Sequence, residues 1–141
     1  GVGGGGLSAG LGVALSDRDI ALHAVEPTGA ATMTAALEAS EPVHLDEVST
    51  IADGLAPPFV GRLNLEAAQR FVSGVHVVTD DEIRGAMRLL IERTKYLVEP
   101  AGAAALAALL SRRIPLAPGS RVVVVLSGGN VDLHRLTDFL D

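Results

Sequence analysis

The sequence predicts an α/β fold: a three-layer sandwich in which helices cover both faces of a mostly parallel sheet, left incomplete by these residues. Three observations carry this. Strand-like and helix-like periodicities alternate over short connections, which implies right-handed crossovers between parallel strands. Val122 to Leu126 (VVVVL) is apolar throughout and β-branched at all but its last position, the pattern of a strand buried on both faces. Two glycine-rich segments stand where strands should end, and open parallel sheets bind ligands at the carboxyl ends of their strands.

Taken in order, the elements begin before the first residue. A glycine run that opens a helix needs a strand to feed it, so a strand is expected ahead of Gly1. The chain starts without methionine inside that run, and Gly1 reads as a cut point within a longer polypeptide. Leu7 to Leu15 is apolar and punctuated by glycine, a helix packed closely on a sheet. Ile20 to Val25 (IALHAV) has strand length and composition, and Ala30 to Ala39 (AATMTAALEA) is a second helix. Glu41 to Leu65 carries three prolines and no clear period, so it reads as a long functional loop or flap. Val75 to Thr79 (VHVVT) is the next strand.

The helix after it is well signalled. Thr79 and Glu82 form a capping box, with Asp80 and Asp81 in a first turn where the helix dipole favours anions. Ile83, Met87, Leu90 and Ile91 follow on one face, and Arg93 and Lys95 fall near the far end. Pro100 suits a first helical position, and Ala101 to Leu110 (AGAAALAALL) is apolar nearly all round, hence buried. Pro115, Pro118 and Gly119 break the chain before the Val122 to Leu126 strand.

Composition narrows the function. With 141 residues, 48% of them hydrophobic, one domain with a real apolar core is expected. The net charge of −6 argues against nucleic acid as a partner, since such proteins show a clustered basic face. Aromatics make up only 3%, too few to build stacking platforms for single strands. The absence of cysteine removes disulfides, thiolate metal ligands and a thiol nucleophile. No apolar run approaches the roughly 18 residues of a membrane span, and no signal peptide is recognisable. A cytoplasmic enzyme of small molecules fits this balance.

The glycines carry the chemistry. Sixteen of them exceed the usual ~7%, and they cluster. Gly3 to Gly6 lie at the amino end of a helix, where a backbone without Cβ atoms can approach an anion and aim several N–H groups at it. The plainer account is a flexible turn. A rival account is a dinucleotide site: Gly1, Gly3 and Gly6 satisfy G-x-G-x-x-G, and Glu26 stands about 20 residues on. That rival leaves Ser127-Gly128-Gly129-Asn130, at the end of the last strand, unexplained.

Six segments together resemble one family. GVGGGGLSAGL at Gly1 to Leu11, AVEP at Ala24 to Pro27 and TIADGLA at Thr50 to Ala56 are similar to threonine/serine dehydratases. So are TDDEI at Thr79 to Ile83, VEPAGA at Val98 to Ala103 and VLSGGNVD at Val125 to Asp132. These enzymes form a branch, with serine racemase, of the fold type II pyridoxal-phosphate enzymes. The resemblance implies that residues 1–141 are the C-terminal part of the catalytic domain. The N-terminal half, with the Schiff-base lysine that carries the cofactor, would lie outside them.

Carried over by residue, the resemblance implies that Gly3, Gly4, Gly5, Gly6 and Leu7 give backbone N–H groups to the cofactor phosphate. It implies that Ser127 hydrogen-bonds the pyridine nitrogen and that Glu99 faces the cofactor region, although Glu99 can equally be an acid at a helix amino end. Some relatives hold a divalent cation with an acid at the position of Glu26, the carbonyl of Ala30 and a further acid. Here that further position is Thr32, and loss of a carboxylate weakens a hard-cation site, so no metal is expected. Lys95, the single lysine, reads as a solvated surface residue. His23, His44, His76 and His134 show no metal-ligand spacing.

The implied activity is pyridoxal-phosphate-dependent deamination by β-elimination, of L-threonine to 2-oxobutanoate and of L-serine to pyruvate, in amino-acid metabolism that includes isoleucine biosynthesis. The implied protein is a cytoplasmic homo-oligomer, and these 141 residues alone would be inactive. Serine racemization is the nearest alternative. A non-catalytic binding or interaction remnant is the alternative of another class.

Overall fold

A computed structural model describes residues 1–140. In chain order it contains α1 (Gly6–Ala14), β1 (Leu22–Pro27), α2 (Thr32–Ala39), α3 (Arg62–Phe71), β2 (Val72–Val78), α4 (Asp80–Thr94), α5 (Pro100–Leu110) and α6 (Leu136–Leu140). Short 3-10 turns lie at Thr28–Ala30, Asp53–Leu55 and Leu133–Arg135.

β1 and β2 pair in parallel, from His23 opposite Gly74 to Pro27 opposite Val78. Their side chains alternate between two cores, as a strand's period of two requires. Val25 and Val78 point into a cluster with Ile83, Met87 and the alanines of α5. Ala24 points the other way, towards Met33, Val60, Leu65 and Ala68. The α4–α5 layer, the sheet and the layer of α2 and α3 therefore form the expected three-layer α/β arrangement.

Most elements lie within a few residues of their expected positions. α4 starts at its capping box, with the Glu82 N–H donating to Thr79 Oγ1 at 3.2 Å and the Thr79 N–H donating to Glu82 Oε2 at 2.8 Å. α5 begins with Pro100 and buries Ala101, Ala103, Ala104, Ala107 and Ala108. Such small side chains let α5 press closely on α4 and on both strands.

Two expectations need correction. Val122 to Leu126 forms no strand, and Val123 is 90% exposed. Among the described residues the sheet has only β1 and β2. An apolar, β-branched run cannot become a buried strand without a neighbour to complete its ladder. The stretch from Glu41 to Leu65 is a long loop, as expected, only as far as Gly61, with one 3-10 turn inside it. It ends in the first residues of α3, whose Leu65 and Ala68 are buried. Upstream it is tied down at several points: Ser49 N–H donates to the Gly29 carbonyl at 2.8 Å, Leu45 N–H to that of Pro58 at 2.8 Å, and Asp80 accepts from Thr50 Oγ1 and from Ile51 N–H.

Candidate functional site

The amino end of α1 is held in place without using its own donors. Val2 N–H donates to the Val25 carbonyl at 2.7 Å, so the residues before the helix run along β1. Gly5 takes φ +87°, a left-handed conformation that costs any residue with a Cβ. A Cβ there would also stand 2.8 Å from Met33 Cε and 2.9 Å from Asn64 Cβ. The Gly4 carbonyl accepts from Asn64 Nδ2 at 2.6 Å and the Gly5 carbonyl from Ser8 Oγ at 3.0 Å. These bonds consume acceptors only. From Gly3 to Ser8, no backbone N–H donates to another backbone group among the described residues, and no side chain caps the helix. A run of unengaged N–H groups at the positive end of a helix is an anion cradle. Gly6 has open space where a Cβ would stand, so a ligand can approach the backbone itself.

This cradle forms one wall of a cavity of about 240 Å³. Gly54, Leu55, Glu99, Ala101 and Ser127 make up the rest. The glycine run, Ser127 and Glu99, singled out from sequence, are thus brought to one site. They converge although the strand expected to deliver Ser127 is not formed. Gly54, Leu55 and Ala101 were not anticipated as the cavity's lining, nor Asn64 as the partner of the Gly4 carbonyl. The TIADGLA segment was a recognisable motif, but its place at the cavity comes from contacts distant in sequence: Thr50 and Ile51 bond to Asp80, and the 3-10 turn packs on the start of α5.

Glu26 has a different task. It is fully buried at the end of β1, and its carboxylate accepts Met33 N–H at 2.9 Å and Thr34 N–H at 2.8 Å. It therefore satisfies the first-turn donors of α2, which have no cap of their own. Burial pushes its carboxyl above the usual range, against the opposing pull of the bonds from Thr34 and Met33. Thr32 Oγ donates to the Pro57 carbonyl. Among the described residues no group of three or more His, Asp or Glu is arranged to hold a metal ion.

Lys95 caps the far end of α4 in a left-handed conformation, and its Nζ donates to the Glu92 carbonyl at 2.6 Å, away from the cavity. His23 Nδ1 and His76 Nε2 are 2.9 Å apart across the two strands. Burial, with a contribution from His23, pulls the His76 imidazole below the usual histidine range. His44 stacks on Phe59, and His134 is exposed in the last 3-10 turn.

The chain is similar in sequence and fold to known proteins. The family model described as pyridoxal-phosphate dependent enzyme matches residues 1–128. The biosynthetic L-threonine dehydratase IlvA of Mycobacterium leprae is 43% identical over 99% of the chain, which spans 33% of that relative's length. The crystal structure of the T.th. threonine deaminase superposes with a TM-score of 0.85 at 37% identity, over 93% of this chain and 44% of that one. Maize serine racemase superposes with a TM-score of 0.87 at 36% identity, over 97% and 45%.

Proposed function

The chain belongs to the family of pyridoxal-phosphate-dependent enzymes, and from that premise we propose that it is the C-terminal part of the catalytic domain of an ammonia-lyase acting on L-threonine and L-serine. The products are 2-oxobutanoate or pyruvate, with ammonia. The observation that carries this reading is the run of unengaged N–H groups from Gly3 to Ser8 facing a cavity whose other wall holds Ser127.

These residues suit the cofactor. Its phosphate matches the cradle, where Gly3, Gly4, Gly5, Gly6 and Leu7 offer backbone donors and the helix offers its positive end. Pyridoxal phosphate, when bound, supplies an electron sink for the bond electrons released when the amino acid loses its Cα proton. Ser127 would donate to the pyridine nitrogen. A hydroxyl, unlike a carboxylate, does not hold that nitrogen protonated, which moderates the sink and suits prompt loss of the β-hydroxyl. Lys95 is committed to Glu92 outside the cavity, so the lysine that binds the cofactor would come from polypeptide beyond these residues. We further assign the protein to the cytoplasm as a homo-oligomer without nucleic-acid partners. The net charge of −6 supports the lack of nucleic-acid partners, and among the described residues no helix is long and apolar enough to cross a membrane.

Borohydride reduction of the natural full-length protein, followed by mass analysis and a 2-oxo acid assay, tests the reading. One phosphopyridoxyl group on a lysine outside residues 1–141, with 2-oxo acid released from L-threonine or L-serine, is the expected result. An unmodified protein without 2-oxo acid release would overturn it. D-serine as the main product from L-serine would give precedence to racemization.

A further inference from the structure

Glu99 directs its carboxylate away from its own helix. It stands immediately before α5 and gives no side-chain cap to that helix's first turn. Instead, Glu99 Oε2 accepts the backbone N–H of Asn130 at 3.0 Å. The backbone N–H of Glu99 donates to the Gly128 carbonyl at 3.2 Å. One residue thus grips the turn on both sides of Gly129.

The grip depends on glycines. A Cβ on Gly128 would lie 2.0 Å from Glu99 Oε1, and one on Gly102 would lie 2.5 Å from the Gly128 carbonyl oxygen. A Cβ on Gly54, across the cavity wall, would stand 3.5 Å from Oε1. The carboxylate is therefore seated between the 53–55 turn and the 128–130 turn, with its second oxygen committed to a backbone donor. This contact ties the turn that follows Val122 to Leu126 to the start of α5.

We propose that Glu99 is a positioning residue, a clasp on the 128–130 turn that sets where the Ser127 hydroxyl stands opposite the glycine cradle. The consequence for the cofactor rests on the function proposed above; the clasp itself does not. Its requirement is an oxygen acceptor at this place, not a negative charge, and that separates it from an acid acting directly on the cofactor.

The test uses Glu99→Ala, Glu99→Gln and Gly128→Ala in the full-length protein. Its readouts are amide hydrogen exchange of the 127–131 segment and the affinity and visible absorbance of added pyridoxal phosphate. Loss of a hydrogen bond to a charged acceptor should speed exchange at Asn130 by about tenfold or more in Glu99→Ala. Gly128→Ala, which expels the carboxylate, should do the same. Cofactor affinity should fall by a comparable factor in both, with a shifted absorbance maximum. Glu99→Gln keeps an acceptor oxygen and should restore exchange, affinity and absorbance to within about threefold of the parent.

Unchanged Asn130 exchange in Glu99→Ala or Gly128→Ala would overturn the clasp. So would a Glu99→Gln variant with a protected Asn130 amide and an altered cofactor spectrum, because charge would then be the operative property. If Glu99→Ala does not fold, the nearly isosteric Gln variant still decides between the two. A full-length protein that takes up no pyridoxal phosphate would sink the proposed function, while the exchange measurement would still decide the clasp.

Discussion

At the scale of single residues, Glu26 shows how a buried charge is tolerated and what it costs. Its two oxygens receive the N–H groups of Met33 and Thr34, and hydrogen bonds to a charged acceptor contribute about 1.5–3 kcal/mol each. Burial still wins, and the carboxyl sits above the usual range. This fixes the sign of the pH effect. The folded protein holds this proton more tightly than the unfolded chain, so above the ordinary value of 4.5 a rise in pH removes stability until the folded group is itself ionised. Glu26→Gln does not titrate, but it turns an amide NH₂ towards one of the two backbone donors and loses about 1–3 kcal/mol. Denaturant unfolding of both proteins from pH 4 to pH 8 should show the parent's advantage over the variant shrinking as pH rises. An advantage that grows with pH would mean that the hydrogen bonds outweigh burial, contrary to this account.

At the scale of elements, α1 and α3 meet through a glycine. A Cβ on Gly12 would lie 2.5 Å from Phe71 Cβ, at the end of α3, whereas Gly10 on the same helix has nothing within 4 Å. Both substitutions to alanine gain about 0.5–1 kcal/mol in helix propensity. At Gly12 the obstacle is a Cβ, which cannot rotate aside, and overpacking costs about 1–3 kcal/mol. Gly10→Ala should therefore raise the melting temperature and Gly12→Ala lower it; a rise for both would show that α1 is not seated on Phe71. The same contrast between local and distant contacts separates the elements legible in the sequence from the rest. α4 and α5 were legible because their caps and periodicity are local. α3 was not, since Pro57, Pro58 and Gly61 mark its approach as loop and only Leu65 and Ala68 betray its buried face. The glycine cradle was legible because it opens an apolar helix, and Ser127 because it follows a strand-like run. Gly54 and Leu55 join them through the packing of their turn on Ala101 and the tie of Thr50 and Ile51 to Asp80, contacts between segments distant in sequence that no local pattern records.

At the scale of the whole molecule, the Val122 to Leu126 run has the composition of a buried strand and the exposure of a surface. Val122 is 45% exposed, Val123 90%, Val125 40% and Leu126 39%. Strand formation is a property of pairs, and the unpaired N–H and C=O groups of this run, together with its apolar side chains, form a template for another strand. Under the proposed function, that strand comes from polypeptide beyond these 141 residues. The chain on its own should therefore satisfy the run by self-association. Val123→Lys places a charge where the side chain meets almost only solvent, so it should leave the chain's melting temperature unchanged. Burying one valine contributes about 1.5–3 kcal/mol, so the substitution should weaken association by about tenfold or more. Sedimentation velocity across a wide concentration range separates the cases. A parent chain that stays monomeric throughout, or a lysine variant that associates equally well, would show that Val122 to Leu126 is not the sticky element. In the full-length protein the same lysine should act in the opposite place: it would be buried in a completed sheet, and the loss should appear in folding stability instead of assembly.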